Sequence, residues 1–167
     1  MKKTLNMSSG FTLLEVIFVI VIIGILAGVA IPKLAATRDD AEIAKAKSTI
    51  ASVRAALSTE RQLRVLRGDF TPITSLNADG LGAFTVFSLD GGVGGNPPVS
   101  RPVLGNTVPI CAPGGRACWN AAAPVYTYVL PISGNRVTFS IQDANGITYS
   151  GQFRCTGSAD DCRLLTQ

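Results

Sequence analysis

Two groups of side chains in this sequence could do chemistry. The first is a single carboxylate, Glu15, set inside the apolar run FTLLEVIFVIVIIGILAGVAI at residues 11–31. An unpaired Glu in hydrocarbon costs about 2–4 kcal/mol on insertion scales, so by default it marks a function and a partner of opposite charge. The second is the cysteine set Cys111, Cys118, Cys155 and Cys162, two pairs with six residues between partners. Four thiols allow three connectivities, of which Cys111 to Cys118 with Cys155 to Cys162 is the local choice. A zinc site built from all four is the rival, but its ligands usually stand about two to four residues apart. Other chemistry is excluded or weak. Histidine is absent, which removes Ser-His-Asp and Cys-His catalysis and the commonest metal ligand. The loop Asp90-Gly91-Gly92-Val93-Gly94-Gly95-Asn96-Pro97-Pro98 is glycine-rich but lacks the Gly-Lys-Ser/Thr that holds a nucleotide. No constellation for an enzyme remains.

The elements that must position these residues follow from pattern. Hydrophobic residues make up 47% of the 167, and they are concentrated near the N-terminus. As a helix, residues 11–31 would be about 32 Å long, enough to cross a bilayer core. Thr12 and Glu15 are the only strongly polar side chains in it. Its Val and Ile are poor helix formers in water, but in lipid the backbone must satisfy its own hydrogen bonds, and helix wins. Lys2 and Lys3 precede the run and keep that end cytoplasmic, with the rest of the chain outside. A secretory signal peptide has a shorter apolar centre, and a plain signal anchor gives no reason for Glu15. A signal-anchored binding domain that never polymerises is kept as an alternative.

Gly24 and Gly28 form a small-xxx-small pair that lets apolar helices approach closely. Pro32 removes one helix hydrogen bond and is expected to kink the helix at the membrane boundary. Beyond it, no glycine or further proline occurs until Gly68, so residues 32–67 continue the helix. Ile43, Ala46, Ile50, Val53 and Leu57 recur at three and four and give one apolar stripe. Glu42, Lys45, Lys47, Arg54 and Arg61 lie largely off it, and Glu60 to Arg64 has the favourable i,i+4 order. Residues 68–167 form a β-rich head. Short strands are expected at 84–89 and 108–111, and three regular ones at 125–132, 136–141 and 147–153. Ser133-Gly134-Asn135 and Asp143-Ala144-Asn145-Gly146 are the turns between the regular three. Pro131 suggests an edge or a bulge. The fold class is therefore α+β: a long N-terminal helix, transmembrane in its first half, packed against an antiparallel sheet.

The stretch Gly10-Phe11-Thr12-Leu13-Leu14-Glu15, followed by an apolar run and then Pro32, resembles the N-terminus of type IV prepilins and type II secretion pseudopilins. The resemblance covers the short basic leader, residues 1–10, and the helix into its exposed half. It implies a prepilin peptidase that cuts between Gly10 and Phe11 and methylates the new amine of Phe11. It implies that Glu15, with Thr12 beside it, serves subunit assembly by pairing with a neighbour's N-terminal amine. The helix between Gly24, Gly28 and Pro32 is where such subunits loosen on assembly. A cytoplasmic ATPase and an inner-membrane platform protein would drive extraction from the lipid. Removing Lys2 and Lys3 with the leader leaves 13 basic against 11 acidic residues, or +2, with no nucleic-acid footprint.

The function implied is a structural subunit, anchored once in the inner membrane and then part of a periplasmic or cell-surface filament that self-associates through its N-terminal helix. A pseudopilin of a type II secretion system is the alternative. A Cys155–Cys162 bond would close a C-terminal loop as in many type IV pilins, and major pseudopilins usually lack one. Their Tyr-Pro-Thr segment is also missing; Asp69-Phe70-Thr71-Pro72 is a faint echo. No cofactor is expected. Some pseudopilins hold calcium in loops of this kind, but the 143–146 segment reads more simply as a hairpin turn.

Overall fold

The computed structural model describes residues 10–92, 97–106, 108, 110–143 and 148–167. Helix α1 runs Leu13–Leu66. Its start has a local cause. The Thr12 hydroxyl accepts a hydrogen bond from the Glu15 amide at 3.3 Å, and the Thr12 carbonyl accepts one from Val16 at 3.3 Å. Threonine at the cap with glutamate three residues on is the spacing of a capping box. The other end is closed by Gly68, at φ +76°, with Gly68 N–H donating to Val65 O at 2.9 Å and Asp69 N–H to Arg64 O at 2.9 Å. That is a Schellman stop, which needs a residue tolerant of positive φ just past the helix. The stop expected at Gly68 is where the helix ends.

The chain divides into two units, residues 1–38 and 39–167, and α1 contributes to both. In the first, none of the residues of the apolar span Leu13–Ile31 is buried. In the second, Ala46, Ile50, Val53 and Leu57 are buried and Ile43 is packed against them, as the stripe requires.

Against that stripe lies a four-stranded antiparallel meander in the order β1 (Cys118–Ala122), β2 (Val125–Val129), β3 (Arg136–Gln142), β4 (Tyr149–Cys155). Val137, Phe139 and Ile141 face the core, as their alternation implies, and so does Phe153. Gly151, at φ +67°, lies where β4 slips register against β3 between Ser140 and Gln142. Phe84, Trp119, Tyr126, Tyr128, Phe139 and Phe153 form one aromatic cluster, with Phe139 stacked on Phe153 at 5.1 Å and Phe84 edge-on to Trp119 at 4.9 Å. Phe84 holds φ +58°, a conformation that costs about 1–2 kcal/mol for a side-chain-bearing residue. Burying its ring contributes about 2–3 kcal/mol and offsets that strain.

Four expectations are corrected. Among the described residues, 84–89, 108 and 110–111 belong to no strand; isolated bridges, Ala83 to Val108, Val86 to Pro102 and Ile110 to Trp119, take their place. β2 ends at Val129, so Pro131 lies in the turn, and β2 is an interior strand with β1 and β3 on either side. Strand β1 was not expected, because Cys-Trp-Asn-Ala-Ala lacks β-branched alternation; it forms by pairing along the whole of β2 and burying Trp119. Helix α2, Ala159–Thr166, was not expected either. Ser158 caps it by accepting from the Asp161 amide, and Leu165 buries its one apolar face. The 143–146 turn and the start of the last expected strand, Ile147, fall largely outside the described residues, as does the leader before Gly10.

Candidate functional site

The N-terminal stretch brings its chemistry together by sequence adjacency. Gly10 and Phe11 precede the helix, with Phe11 82% exposed, and Thr12 caps it. Glu15 sits in the first turn, where the helix dipole favours a negative charge. No salt bridge engages Glu15 among the described residues. The side chains around it are apolar and open: Leu13 and Leu14 are about four-fifths exposed and Phe18 about two-thirds. At Gly24 and Gly28, an added Cβ would meet nothing within 4 Å, so nothing in the chain itself requires glycine there. The helical assignment runs through Pro32.

The second unit contains a charged constellation that the sequence reading missed. Glu60 and Arg64 are 3% and 0% exposed, and they continue the buried stripe by the same three-and-four step after Leu57. Arg64 Nε donates to Glu60 Oε1 at 2.8 Å. Arg101 Nη1 reaches both Glu60 oxygens, at 2.7 and 2.9 Å, and its Nη2 reaches Asp90 Oδ2 at 3.1 Å. Arg67 joins the same Asp90 oxygen at 3.3 Å. Next to this lattice, Asp69 accepts from the Thr71 hydroxyl at 2.6 Å, the Thr71 amide at 2.9 Å and the Gly91 amide at 3.0 Å. The Thr71 hydroxyl first, then the two amides, hold the Asp69 carboxyl down at about 2. Asp90 is also held below the usual carboxylate range, chiefly by the Val99 amide at 2.7 Å. Spacing was the available signal: a stripe extended past Leu57 lands on Glu60 and Arg64, not on the solvent face.

Residues 5–31 match the family model described as the prokaryotic N-terminal methylation motif. Over 49 residues the chain is 45% identical to the type II secretion system core protein G of Pseudomonas aeruginosa, covering 29% of this chain and 34% of that protein. It is 41% identical over 68 residues to the protein of that name from Pectobacterium carotovorum, 34% of this chain and 44% of that one. It is 47% identical over 49 residues to the type IV narrow pilus major component PilA5 of Thermus thermophilus, 29% of this chain and 42% of that one. The chain carries the N-terminus of the pilin and pseudopilin family. It spans between about a third and under a half of the length of these relatives. No solved structure matches it. The helix-and-sheet arrangement is pilin-like in class: an apolar N-terminal helix with a four-stranded antiparallel sheet.

In the pilin-like head, the cysteines pair locally, Cys111 with Cys118 and Cys155 with Cys162, with Cα separations of 5.2 and 5.8 Å. All four thiols are consumed, which leaves no thiolate for zinc. The second bond ties the end of β4 to α2. For calcium, one atom of Asp143 is suggestive, since its Oδ1 is shielded and makes no hydrogen bond. One oxygen does not make a cation site. Asn145 and Gly146 lie outside the described residues, and among the described residues no group of three ligating side chains occurs.

Proposed function

We propose that this chain is a structural subunit of a type IV pilus-like filament, cut between Gly10 and Phe11 and polymerised through the first half of α1. The observation that carries this reading is an apolar helical span, Leu13–Ile31, uncovered by its own chain and bearing one carboxylate. Each large aliphatic side chain left in water forgoes about 1.5–3 kcal/mol, so a span of this length must sit in lipid or among other such helices. Lipid alone would suit the aliphatic residues and leave Glu15 uncompensated. A bundle of copies supplies a cation, the N-terminal amine freed at Phe11 of a neighbour. Methylation leaves that amine able to carry its charge, and a pair in an apolar bundle recovers much of the desolvation cost. Thr12 then has two roles: it caps its own helix and holds the new terminus one residue ahead of the first turn. Gly24 and Gly28 give neighbouring helices close approach, and Pro32 supplies the point at which α1 loosens or kinks on assembly. Lys2 and Lys3 place the leader in the cytoplasm, where a prepilin peptidase acts; an ATPase and a membrane platform protein then extract the subunit.

The test is the mature N-terminus together with one substitution. Mass spectrometry should find an N-methylated Phe11, and Glu15→Ala should lose most fibres by electron microscopy of the sheared fraction while the protein still accumulates in the membrane. A chain that retains Met1 and is found in no fibre would refute the reading and leave an anchored domain; undiminished fibres from Glu15→Ala would refute the role of Glu15 in assembly.

A second reading, a pseudopilin of a type II secretion system, is favoured by the likeness to core protein G in Pseudomonas aeruginosa and Pectobacterium carotovorum. Deleting the gene separates the two: loss of surface fibres supports the pilus, and loss of protein secretion with fibres intact supports the pseudopilus.

A further inference from the structure

A groove of about 870 Å³ opens on the second unit between α1, β4 and α2. Helix α1 contributes Arg54, Ser58, Arg61 and Gln62, spaced so that they share one helix face; β4 contributes Arg154 and α2 contributes Thr166. Three guanidinium groups therefore line one depression, and among the described residues no carboxylate lines it with them. They differ in this from Arg64, Arg67 and Arg101, which are each matched to Glu60 or Asp90.

Two of the three groove arginines are also held in place. Arg54 Nε donates to the Phe153 carbonyl at 3.1 Å, and Arg154 Nε donates to Gln152 Oε1 at 2.8 Å. Bonds through Nε fix the plane of a guanidinium and leave its two Nη nitrogens directed at whatever lies beyond. That paired fork matches the two oxygens of a carboxylate or phosphate. Arg61 makes no ion pair among the described residues. Like charges brought together repel, and nothing in the groove offsets that repulsion.

The geometry points to a binding site for an acidic oligosaccharide, whose carboxylates the arginines clamp. The neutral part of the lining fits the rest of such a ligand. Ser58 offers a hydroxyl, Gln62 an amide and Thr166, whose hydroxyl already donates to the Cys162 carbonyl at 2.7 Å, an acceptor for sugar hydroxyls. Phe153, the aromatic residue of the lining, is buried at 2% exposure, so no open ring is presented for a nucleobase to stack on. The volume lies in the range of small-ligand clefts, about 300–1,000 Å³. The site uses none of the residues assigned to assembly and stands independently of the filament reading.

The test is titration calorimetry of the full chain in a non-ionic detergent with three probes: tetragalacturonate, its fully methyl-esterified form, and a short oligothymidylate. The expected result is saturable binding of the tetragalacturonate alone. Arg61→Ala and Arg154→Ala should each weaken it about tenfold, as loss of a charge-assisted contact predicts. Arg61→Lys, which keeps the charge and loses the fork, should fall between wild type and Arg61→Ala. Unchanged unfolding midpoints for these surface variants guard against misfolding. Absence of binding, equal binding by the esterified probe or the oligothymidylate, or affinity indifferent to all three substitutions would overturn the assignment.

Discussion

Two glutamates on the same helix face opposite situations. Glu15 stands in the apolar span with no salt-bridge partner among the described residues, and the side chains around it are open. Glu60 is almost wholly buried, and two arginines bond it with three contacts of 2.7 to 2.9 Å. A carboxylate withdrawn from water must find its counter-charge somewhere. At Glu60 the chain supplies that charge itself, from one turn along the helix and from a loop 41 residues away. At Glu15 the charge must come from outside, and in the proposed filament it does. The same side chain is therefore a folding residue at one position and an assembly residue at the other; what differs is whether a partner can be reached within one molecule.

The contrast is broken most directly by deleting each carboxylate in turn. Glu60→Ala leaves Arg64 and Arg101 without their shared anion in a buried setting, and such losses cost about 3–5 kcal/mol. Urea unfolding of the head, followed by near-UV signals from Trp119 in non-ionic detergent, should show that drop. Glu15→Ala should leave the same midpoint within about 0.5 kcal/mol, since it lies in the first unit, outside the head's core. If Glu60→Ala proved as silent as Glu15→Ala, the buried lattice would be ornamental and the comparison would fail.

A smaller effect separates ionic from covalent ties. The Cys155–Cys162 bond closes a short loop, and replacing both residues by serine should cost about 2–3 kcal/mol by lost loop-closure entropy. This loss should add to that of Glu60→Ala, because the bond holds β4 to α2 and the lattice holds the end of α1 to the loop after it. Strong non-additivity in the double variant would mean that the two share a partner.

These features were unequally legible in the sequence. The N-terminal motif, the Ile50–Val53–Leu57 stripe, the Gly68 stop, the strands around Phe139 and the local cysteine pairing all have short-range or periodic causes. The described residues between 69 and 110 have few. Their path is set by side chains bonding distant backbone groups: Asp69 to the Gly91 amide, Asp90 to the Val99 amide, Tyr126 to the Leu76 amide. Such bonds leave no period to detect. Glu60 and Arg64 misled for a different reason. Their spacing follows the buried stripe while their chemistry is that of a solvated pair.

The smallest expected effect concerns pH. Asp69 is held to about 2 in the folded head, against about 3.9 for an unperturbed aspartate. Its folded value is depressed, so its contribution to stability is complete above roughly pH 4 and is lost as pH falls towards 2. The Thr71 hydroxyl is the leading cause, and Arg64 the least. Thr71→Val should therefore move the acid limb of the unfolding curve to higher pH, while stability near pH 7 falls by less than in the disulfide replacement. Asp69→Asn should flatten that limb without abolishing it, because Asp90 is also held low, mainly by the Val99 amide. The measurement is the urea midpoint of each variant between pH 6 and pH 2. Superimposed acid limbs for wild type and Thr71→Val would mean that the charge of Asp69 is stabilised by the arginine lattice, and the head would then rest on one electrostatic device instead of two.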